Sequence, residues 1–301
     1  MDKLITILTA TYNRAHLLPD LYQSLCRQTC KDFEWIIVDD GSTDNTKTLV
    51  NKWMAVGSPI KISYVEQKNG GKNRAINEGV LHVKTPYVMI VDSDDYLTND
   101  AIAYLNPRLL EAMGDQSLAG IAALRGINEN SPLNEPNIIA DEFVVCNNLD
   151  RKKHGLQYDA CEVYKTSILL KHPFEVWEGE KFLPEEIVWD AIAMEGYSLR
   201  WYNKVALIVR YQDEGMTKGS QKLMSQNPMG YAMLYKHRVE LSHGFIEKYY
   251  WNCQFIAHAI LGCNFSYVFK DNITISSILA MPMGALLAIR RKCQFVNSNF
   301  S

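Results

Sequence analysis

Three carboxylates within four positions, Asp92, Asp94 and Asp95, directly follow an apolar run from Tyr87 to Val91. Such a run is typical of a strand buried on both faces. Acidic side chains crowded at a strand end repel one another and raise one another's pKa. Their presence together therefore indicates a divalent cation, or a ligand that brings one. The alternative is an Asp-rich turn that caps a helix predicted from Asn99 to Met113.

A second pair of carboxylates, Asp39 and Asp40, ends another apolar run that begins at Phe33. Later in the chain, Gly70-Gly71 precedes Lys72 at the start of a predicted helix. The two glycines let a backbone approach a ligand closely, or they close a turn. Lys72 is either a cation for a phosphate or an exposed turn lysine. The sequence has no G-x-G-x-x-G and no Walker A motif, so it lacks the fingerprints of dinucleotide-binding and P-loop proteins.

A third group of carboxylates, Glu185 and Glu186, follows Pro184. Proline fits the first turn of a helix and acidic residues favour its positive N-terminal end, so a helix is predicted to start here. Three apolar residues at helical spacing would form its buried face: Ile187, Ala191 and Met194. The helix dipole alone can explain both glutamates, so the pattern does not by itself require a catalytic role.

Short apolar strands alternate with helices through the first third of the chain. The predicted strands cover residues 4–9, 33–40, 60–66 and 87–91. Because these strands are too far apart in sequence for hairpins, we expect a parallel sheet with right-handed crossovers. The carboxyl ends of such strands share one edge, where open α/β sheets bind ligands. The crevice at this edge would be lined by Tyr12, Asp39, Asp40, Lys72, Asp92, Asp94 and Asp95.

The composition is that of an ordinary globular protein of 301 residues, 47% hydrophobic and 22% charged. This length allows one substantial core and a smaller subdomain. A net charge of −3 gives no general attraction to nucleic acid, so we expect no nucleic-acid partner. The seven cysteines are scattered and lack a metal-binding spacing, which indicates reduced thiols in a cytosolic protein.

The second half of the chain is less regular. Ser198 to Tyr211 is predicted to form paired strands that return to the sheet, and the chain beyond Gly215 shows helical spacing. The segment from Ile273 to Ile289 is apolar but broken by Pro282, and three cations follow at residues 290–292. This segment could lie in a membrane interface or dock on the protein's own core.

Four motifs follow one another at strand ends and helix starts: Thr11-Tyr12-Asn13-Arg14, Val38 to Asp44, Gly70 to Gly79, and Asp92-Ser93-Asp94. With these motifs in order, the chain resembles the inverting family 2 glycosyltransferases of the GT-A fold, of the bacterial polysaccharide type. The resemblance covers about two thirds of the chain, from Leu4 to Thr217. It implies an α/β protein with a Rossmann-like, mostly parallel sheet flanked by helices. Residues 1–105 would bind the nucleotide-sugar, residues 106–217 the acceptor, and residues 218–301 would form a helical C-terminal extension.

The resemblance also implies a donor site. It would comprise Thr11, Tyr12, Asn13, Arg14, Asp39, Asp40, Lys72, Arg74, Asp92 and Ser93. Tyr12 would pack near the nucleotide base, and Asp40, with Asp39, would accept a hydrogen bond from it. Lys72 or Arg74 would lie near the base or the diphosphate.

A metal site and a catalytic base follow from the same resemblance. Asp92, Asp94 and Asp95 would hold Mg²⁺ or Mn²⁺ against the diphosphate. Glu185, with Glu186 second, would take the proton from the acceptor hydroxyl, although this pair departs from the family's common Glu-Asp form. The segment from Arg210 to Thr217 resembles one that closes over the donor.

We therefore expect a metal-dependent, inverting hexosyl- or N-acetylhexosaminyltransferase. Its donor would be a nucleoside-diphosphate sugar, most readily a UDP-sugar, and its acceptor a hydroxyl of a glycan or lipid-linked acceptor. The expected setting is surface polysaccharide synthesis, in the cytoplasm or peripherally at the inner face of the membrane through residues 273–292. The alternatives are a non-catalytic subunit that binds a sugar nucleotide or glycan, and a nucleotidyltransferase. The latter would carry a glycine-rich phosphate loop near the N-terminus, and Thr9 to Arg14 has no glycine.

Overall fold

The computed structural model describes residues 3–133, 143–156, 159–210, 220–270 and 273–298. The chain divides into two compact units. The first comprises Met1–Pro173 and Val188–Gln212, and the second comprises Phe174–Ile187 and Asp213–Ser301. The assignment of residues 1–105, 106–217 and 218–301 to donor binding, acceptor binding and extension concerns function and stays a prediction.

The first unit opens with strands that alternate with helices. They are β1 Ile5–Thr11, α1 Leu18–Cys26, β2 Phe33–Asp39, α2 Thr46–Ala55, β3 Lys61–Glu66, α3 Lys72–His82 and β4 Tyr87–Ile90. β1 pairs in parallel with β2 and with β4, and β2 pairs in parallel with β3. Every residue of β2 is buried, as its continuous apolar run predicts. The parallel sheet predicted for this third of the chain is confirmed.

The strands that follow β4 make the sheet mixed, and helices lie between them in the chain. They are β5 Tyr96–Leu97, α4 Ala101–Met113, β6 Leu118–Asn128, β7 Ser131–Pro132, β8 Phe143–Cys146, a 3-10 helix Asn148–His154, β9 Ala160–Lys165, α5 Thr166–Leu169, α6 Glu186–Met194 and β10 Ser198–Ile208. The strand order is β3-β2-β1-β4-β9-β6-β10-β5, with β7 on β6 and β8 on β10. β9 runs antiparallel to both β4 and β6, and β10 runs parallel to β6. The prediction of paired strands from Ser198 to Tyr211 was wrong, because β10 is one long strand whose partners come from elsewhere in the chain.

The buried face predicted for α6 was also wrong. Val188 and Ile192 are buried, whereas Met194 is exposed. Two contacts explain this orientation. The carboxylate of Asp190 accepts a hydrogen bond from the Asn148 side chain at 2.5 Å, and the ring of Trp189 stacks on Tyr164 with centroids 4.6 Å apart. These polar and aromatic contacts fix the helix face, and an apolar periodicity cannot reveal them.

The second unit is helical. Its helices are α7 Ser220–Gln226, α8 Pro228–Leu241, α9 Phe245–Leu261, a 3-10 helix Phe265–Phe269 and α10 Ile275–Ser298. Met229, Ile256 and Ala280 belong to its core. The buried carboxylate of Glu180 accepts the N–H groups of Met229 and Gly230 at 2.6 and 2.7 Å, and so satisfies the first turn of α8. None of the helices in the described part of the chain combines the length and the apolar character needed to cross a membrane.

Replacement of Gly120 by alanine is expected to destabilise the sheet of the first unit. A Cβ at this position would lie 1.9 Å from the carbonyl oxygen of Val163, because β6 and β9 approach closely there. Relief of this overlap should cost about 1–3 kcal/mol or more. The matched control is Gly114→Ala, where a Cβ meets nothing within 4 Å. Equal urea midpoints for the two variants would contradict the close approach.

Candidate functional site

The carboxyl ends of β1, β2 and β4 lie side by side, because these strands are parallel neighbours. Asn13 joins the first two ends. Its Oδ1 accepts the N–H of Thr43 at 2.7 Å, and its own N–H donates to Ser42 Oγ at 2.8 Å. Asn13 has a φ of 53°, a conformation that asparagine tolerates better than most residues. The first two sequence motifs therefore form one cluster of loops.

Two residues at the end of β1, Thr11 and Tyr12, differ in their exposure. Tyr12 is 46% exposed, so its ring is available for stacking. The hydroxyl of Thr11 is buried and has no hydrogen-bond partner within the described parts of the chain. A buried polar atom of this kind normally requires water or a ligand. Both residues fit the predicted donor site.

Asp39 and Asp40, at the end of β2, are both buried. Asp39 accepts the N–H of Ser42 at 2.7 Å and the hydroxyl of Tyr64 at 2.5 Å. Burial, together with this contact, raises the pKa of Tyr64 far above its ordinary value. A nucleotide base would have to share these carboxylate oxygens with protein donors, and the predicted hydrogen bond to the base stays a prediction.

Asp40 fixes the turn that opens α3. Its Oδ1 accepts the side-chain amide of Gln67 at 2.6 Å and the N–H of Gly70 at 2.7 Å, and its Oδ2 accepts the N–H of Gly71 at 2.7 Å. Gly71 has φ 95° and ψ 158°, a conformation that a residue with a Cβ rarely adopts. The two glycines thus close a turn, and a buried carboxylate holds that turn in place.

This turn directs two cations. Lys72 is the first residue of α3, and its ammonium lies 2.7 Å from the carboxylate of Asp92. The guanidinium of Arg74 donates to the carbonyl of Gly70 at 2.8 Å. Lys72 is therefore part of the acidic cluster and not an isolated surface lysine.

The three carboxylates after β4 have different surroundings. Burial would raise the pKa of Asp92, but Lys72 and Arg125 hold it below its ordinary value. Burial raises the pKa of Asp95 to about 7, and repulsion from Asp92 adds to this effect. Burial and the same repulsion raise the pKa of Asp94. The mutual repulsion predicted from the spacing is therefore present.

Asp94 is better placed than Asp95 to meet a ligand. Asp95 is only 4% exposed, and its Oδ1 accepts the backbone N–H of Arg210 at 3.3 Å. Asp94 is half-buried, and the positive charge of Arg14 acts on it. Ser93, between the carboxylates, is buried.

Carboxylate oxygens are the donors that Mg²⁺ and Mn²⁺ prefer. Over the residues described, no group of three or more Asp, Glu, His or Cys side chains is arranged to hold a metal ion. Mg²⁺ is usually held by one or two carboxylates together with substrate phosphates, so a site completed by a diphosphate needs no such group. In this form Asp94, with Asp92 or Asp95 beside it, would supply the carboxylate oxygens, and the metal site stays a prediction.

Arg125 is a charged residue of the site that the sequence analysis missed. It lies on β6 and interacts with Asp92, Asp95 and Glu162. Burial would lower its pKa, but these carboxylates raise it, so the guanidinium stays charged. The signal that could have found it is the one that revealed Asp92, a charged side chain directly after a buried apolar run.

The two late glutamates lie in the second unit. Glu186 is the first residue of α6, and its Oε1 accepts both Nε and Nη2 of Arg238, at 3.0 and 2.7 Å. Arg238 in turn lies over the ring of Trp251, 4.6 Å from its centroid. Glu185 precedes the helix and is half-buried. Glu186 is thus held by a guanidinium.

The predicted donor-closing segment is described only at its first residue. Arg210 forms an ion pair with Asp20 and lies over the ring of Tyr96, 4.8 Å from its centroid. The rest of the segment, including Gly215-Met216-Thr217, lies outside the described residues.

Together, these features define an α/β protein with a charged site at the carboxyl edge of parallel strands, where such folds bind nucleotides. The chain belongs to glycosyl transferase family 2, because the sequence model of "Glycosyl transferase family 2" matches residues 6–172, more than half of the chain. The family resemblance seen in the sequence is confirmed.

Curated relatives share part of the chain. It is 33% identical over 115 residues to "Glycosyltransferase GlyG" of Streptococcus pneumoniae serotype 4, which covers 38% of each protein. It is 34% identical over 131 residues to "Chondroitin synthase" of Pasteurella multocida, which covers 43% of this chain and 13% of the synthase. The chain therefore spans well under two thirds of the length of these relatives.

Solved structures share the fold at low sequence identity. The structure described as "S. aureus TarS 1-349 in complex with UDP-GlcNAc" has a TM-score of 0.57 at 17% identity and covers 95% of this chain and 81% of that one. A "Mannosyltransferase PcManGT from Pyrobaculum calidifontis in complex with GDP-Man and Mn2+" has a TM-score of 0.53 at 16% identity, covering 98% and 84%. The predicted GT-A fold with its helical C-terminal region is confirmed.

Asp40→Asn should lower the free energy of unfolding by about 1–3 kcal/mol with no nucleotide present. The amide nitrogen would face a backbone N–H in place of an acceptor oxygen. The exposed residue Asp32, just before β2, gives the control Asp32→Asn, with an expected change within about 0.5 kcal/mol. Chemical denaturation measures both. An Asp40→Asn variant as stable as Asp32→Asn would show that Asp40 does not anchor the turn.

Proposed function

We propose that this protein transfers a hexosyl or N-acetylhexosaminyl group from a nucleoside-diphosphate sugar to a hydroxyl of a glycan or lipid-linked acceptor. The setting is surface polysaccharide synthesis. The observation that carries the proposal is the acidic cluster after β4, with Lys72 2.7 Å from Asp92, at the edge where parallel strands end. Family membership supports the reaction class, and the partial match to the curated relatives leaves donor, acceptor and setting as part of the proposal.

The donor site requires groups that hold a diphosphate and a base. Lys72 and Arg74 supply positive charge for phosphate oxygens, and the exposed ring of Tyr12 offers a face to the base. The buried Thr11 hydroxyl is available to a polar atom of the ligand. A UDP-sugar is the proposed donor, in line with the UDP-GlcNAc in the TarS structure of similar fold.

The departing nucleoside diphosphate gains negative charge as the bond from C1 to oxygen breaks. Bound Mg²⁺ or Mn²⁺, held by Asp94 with Asp92 or Asp95, would supply positive charge for these oxygens. Lys72 lies at the same edge and adds to this stabilisation. Glu185 would take the acceptor proton while the hydroxyl attacks C1 from the opposite face, which inverts the configuration.

A cytoplasmic location, with peripheral contact to the inner face of the membrane through residues 273–292, belongs to the same proposal. Nucleoside-diphosphate sugars and a lipid-linked acceptor would then meet at one surface. The apolar segment and the cations that follow it support this placement.

Asp94→Asn and Glu185→Gln should each lower kcat for sugar transfer at least about 100-fold, because each removes a charge needed in the transition state. The assay measures transfer and donor hydrolysis with UDP-sugars and Mn²⁺. Asp32→Asn serves as the control and should retain full turnover. Undiminished turnover in both site variants would contradict the roles proposed for Asp94 and Glu185. Donor binding by the wild type without any product would favour a non-catalytic binding subunit.

Glu186→Gln and Arg238→Gln should have similar, small effects on turnover if Glu186 supports the start of α6 and Glu185 is the base. The pair is partly exposed, so its coupling free energy should be below about 1 kcal/mol. A double-mutant cycle measures this coupling, and the pH profile of kcat is recorded for each variant. If Glu186→Gln instead matches the loss seen in Glu185→Gln, Glu186 is the base.

A further inference from the structure

Helix α10 buries a row of small residues and exposes most of its large apolar residues, although Met281 and Leu287 pack against the core of the second unit. Four small residues at four-residue spacing form the inner face: Ser276, Ala280, Gly284 and Ala288, all buried. Six large apolar residues, between 43% and 73% exposed, form the outer face: Ile275, Ile278, Leu279, Met283, Leu286 and Ile289. We refer to these six residues as the outer stripe.

The inner face is fixed to α9 by close contacts. A Cβ at Gly284 would lie 2.7 Å from Ile256 Cγ2, so the two backbones can approach closely only at a glycine. Asn252 Nδ2 donates to Ser276 Oγ at 3.2 Å, and Arg291 Nη2 donates to Gln254 Oε1 at 2.5 Å. The orientation of α10 within the second unit is therefore determined along its length, and the outer stripe cannot turn inward.

The packing of α10 on α9 therefore leaves the outer stripe exposed. Scattered exposed apolar residues are ordinary, but six that share one helix face mark a surface that meets another apolar phase. Such a stripe that ends in cations is typical of a helix that lies in the plane of a membrane interface.

Charge decides between a bilayer and a second copy of the chain. The protein has a net charge of −3, yet residues 273–298 contain no acidic residue, and Arg290-Arg291-Lys292 follow the outer stripe. A parallel copy would bring these cations together, and an antiparallel copy would set three cations against a segment with one acidic residue, Asp271. Anionic headgroups beside an apolar layer complement both features at once.

We propose that the outer stripe, with the exposed Arg290 and Lys292, docks on an anionic bilayer surface with α10 in the membrane plane. This names the surface behind the peripheral contact included in the proposed function. Docking needs neither donor nor metal, so its failure and the failure of sugar transfer can be told apart.

Vesicle sedimentation of the full chain tests the docking, with phosphatidylcholine vesicles and vesicles that also contain phosphatidylglycerol. The wild type should bind the anionic vesicles, less so as salt rises. The double variant Ile278→Gln with Leu286→Gln should bind about tenfold more weakly. Arg290→Gln with Lys292→Gln should lose about tenfold on anionic vesicles and most of the salt dependence.

The control is Leu81→Gln with Leu110→Gln, two exposed apolar residues on helices of the first unit, and it should bind like the wild type. Circular dichroism and melting should be the same for all variants, because the changed side chains are exposed. A wild type that stays in the supernatant, or an outer-stripe variant that binds like the control, would overturn the proposal. So would a wild-type dimer that Ile278→Gln with Leu286→Gln dissociates while vesicle binding is unchanged.

Discussion

Concentrated negative charge at the end of β4 is the constraint on which the site depends. Three carboxylates share a partly buried space, where the attraction and repulsion between charges are stronger than in water. Removing such charges from water is costly unless opposite charges lie close by. Lys72 and Arg125 meet this need for Asp92, and they reach it from α3 and β6, on either side of β4. The charge interactions of Asp92 therefore connect α3 and β4 with β6, which lies further along the chain.

The position of Lys72 depends in turn on how α3 is held at both ends. At its start, Asp40 binds the N–H groups of Gly70 and Gly71. Near its end, the helix lies so close to β1 that a Cβ on Gly79 would be 2.2 Å from Leu8 Cδ1. A carboxylate on β2 and a close helix-to-sheet approach thus set the ammonium against a carboxylate after β4. Of the two interpretations of Gly70-Gly71, the turn is present and places the Lys72 ammonium beside Asp92, whereas a close approach to a ligand stays a prediction.

Much of this arrangement could be predicted from sequence because it follows from local patterns. Apolar runs that end in polar residues revealed β1, β2 and β4, and the rule that parallel strands share a carboxyl edge brought their ends together. What failed depended on contacts between distant residues. The face of α6 follows from Asp190 with Asn148, and Arg125 joins the site through pairing of β6 with β9. The groups that donate hydrogen bonds to Asp40 likewise could not be predicted, because a sequence motif names the carboxylate and not the N–H groups that reach it.

The apolar segment near the C-terminus shows why two interpretations of one pattern need not exclude each other. The sequence allowed either docking on the protein's own core or contact with a membrane interface. The small residues do dock on the protein's own core, since Gly284 and its neighbours at four-residue spacing are buried against α9. Six large apolar residues of α10 stay exposed on the other side of the helix, whereas Met281 and Leu287 pack against the core. Close packing of the small residues on α9 is thus compatible with an exposed apolar outer stripe. A hydrophobicity profile averages over both faces and cannot separate these two roles.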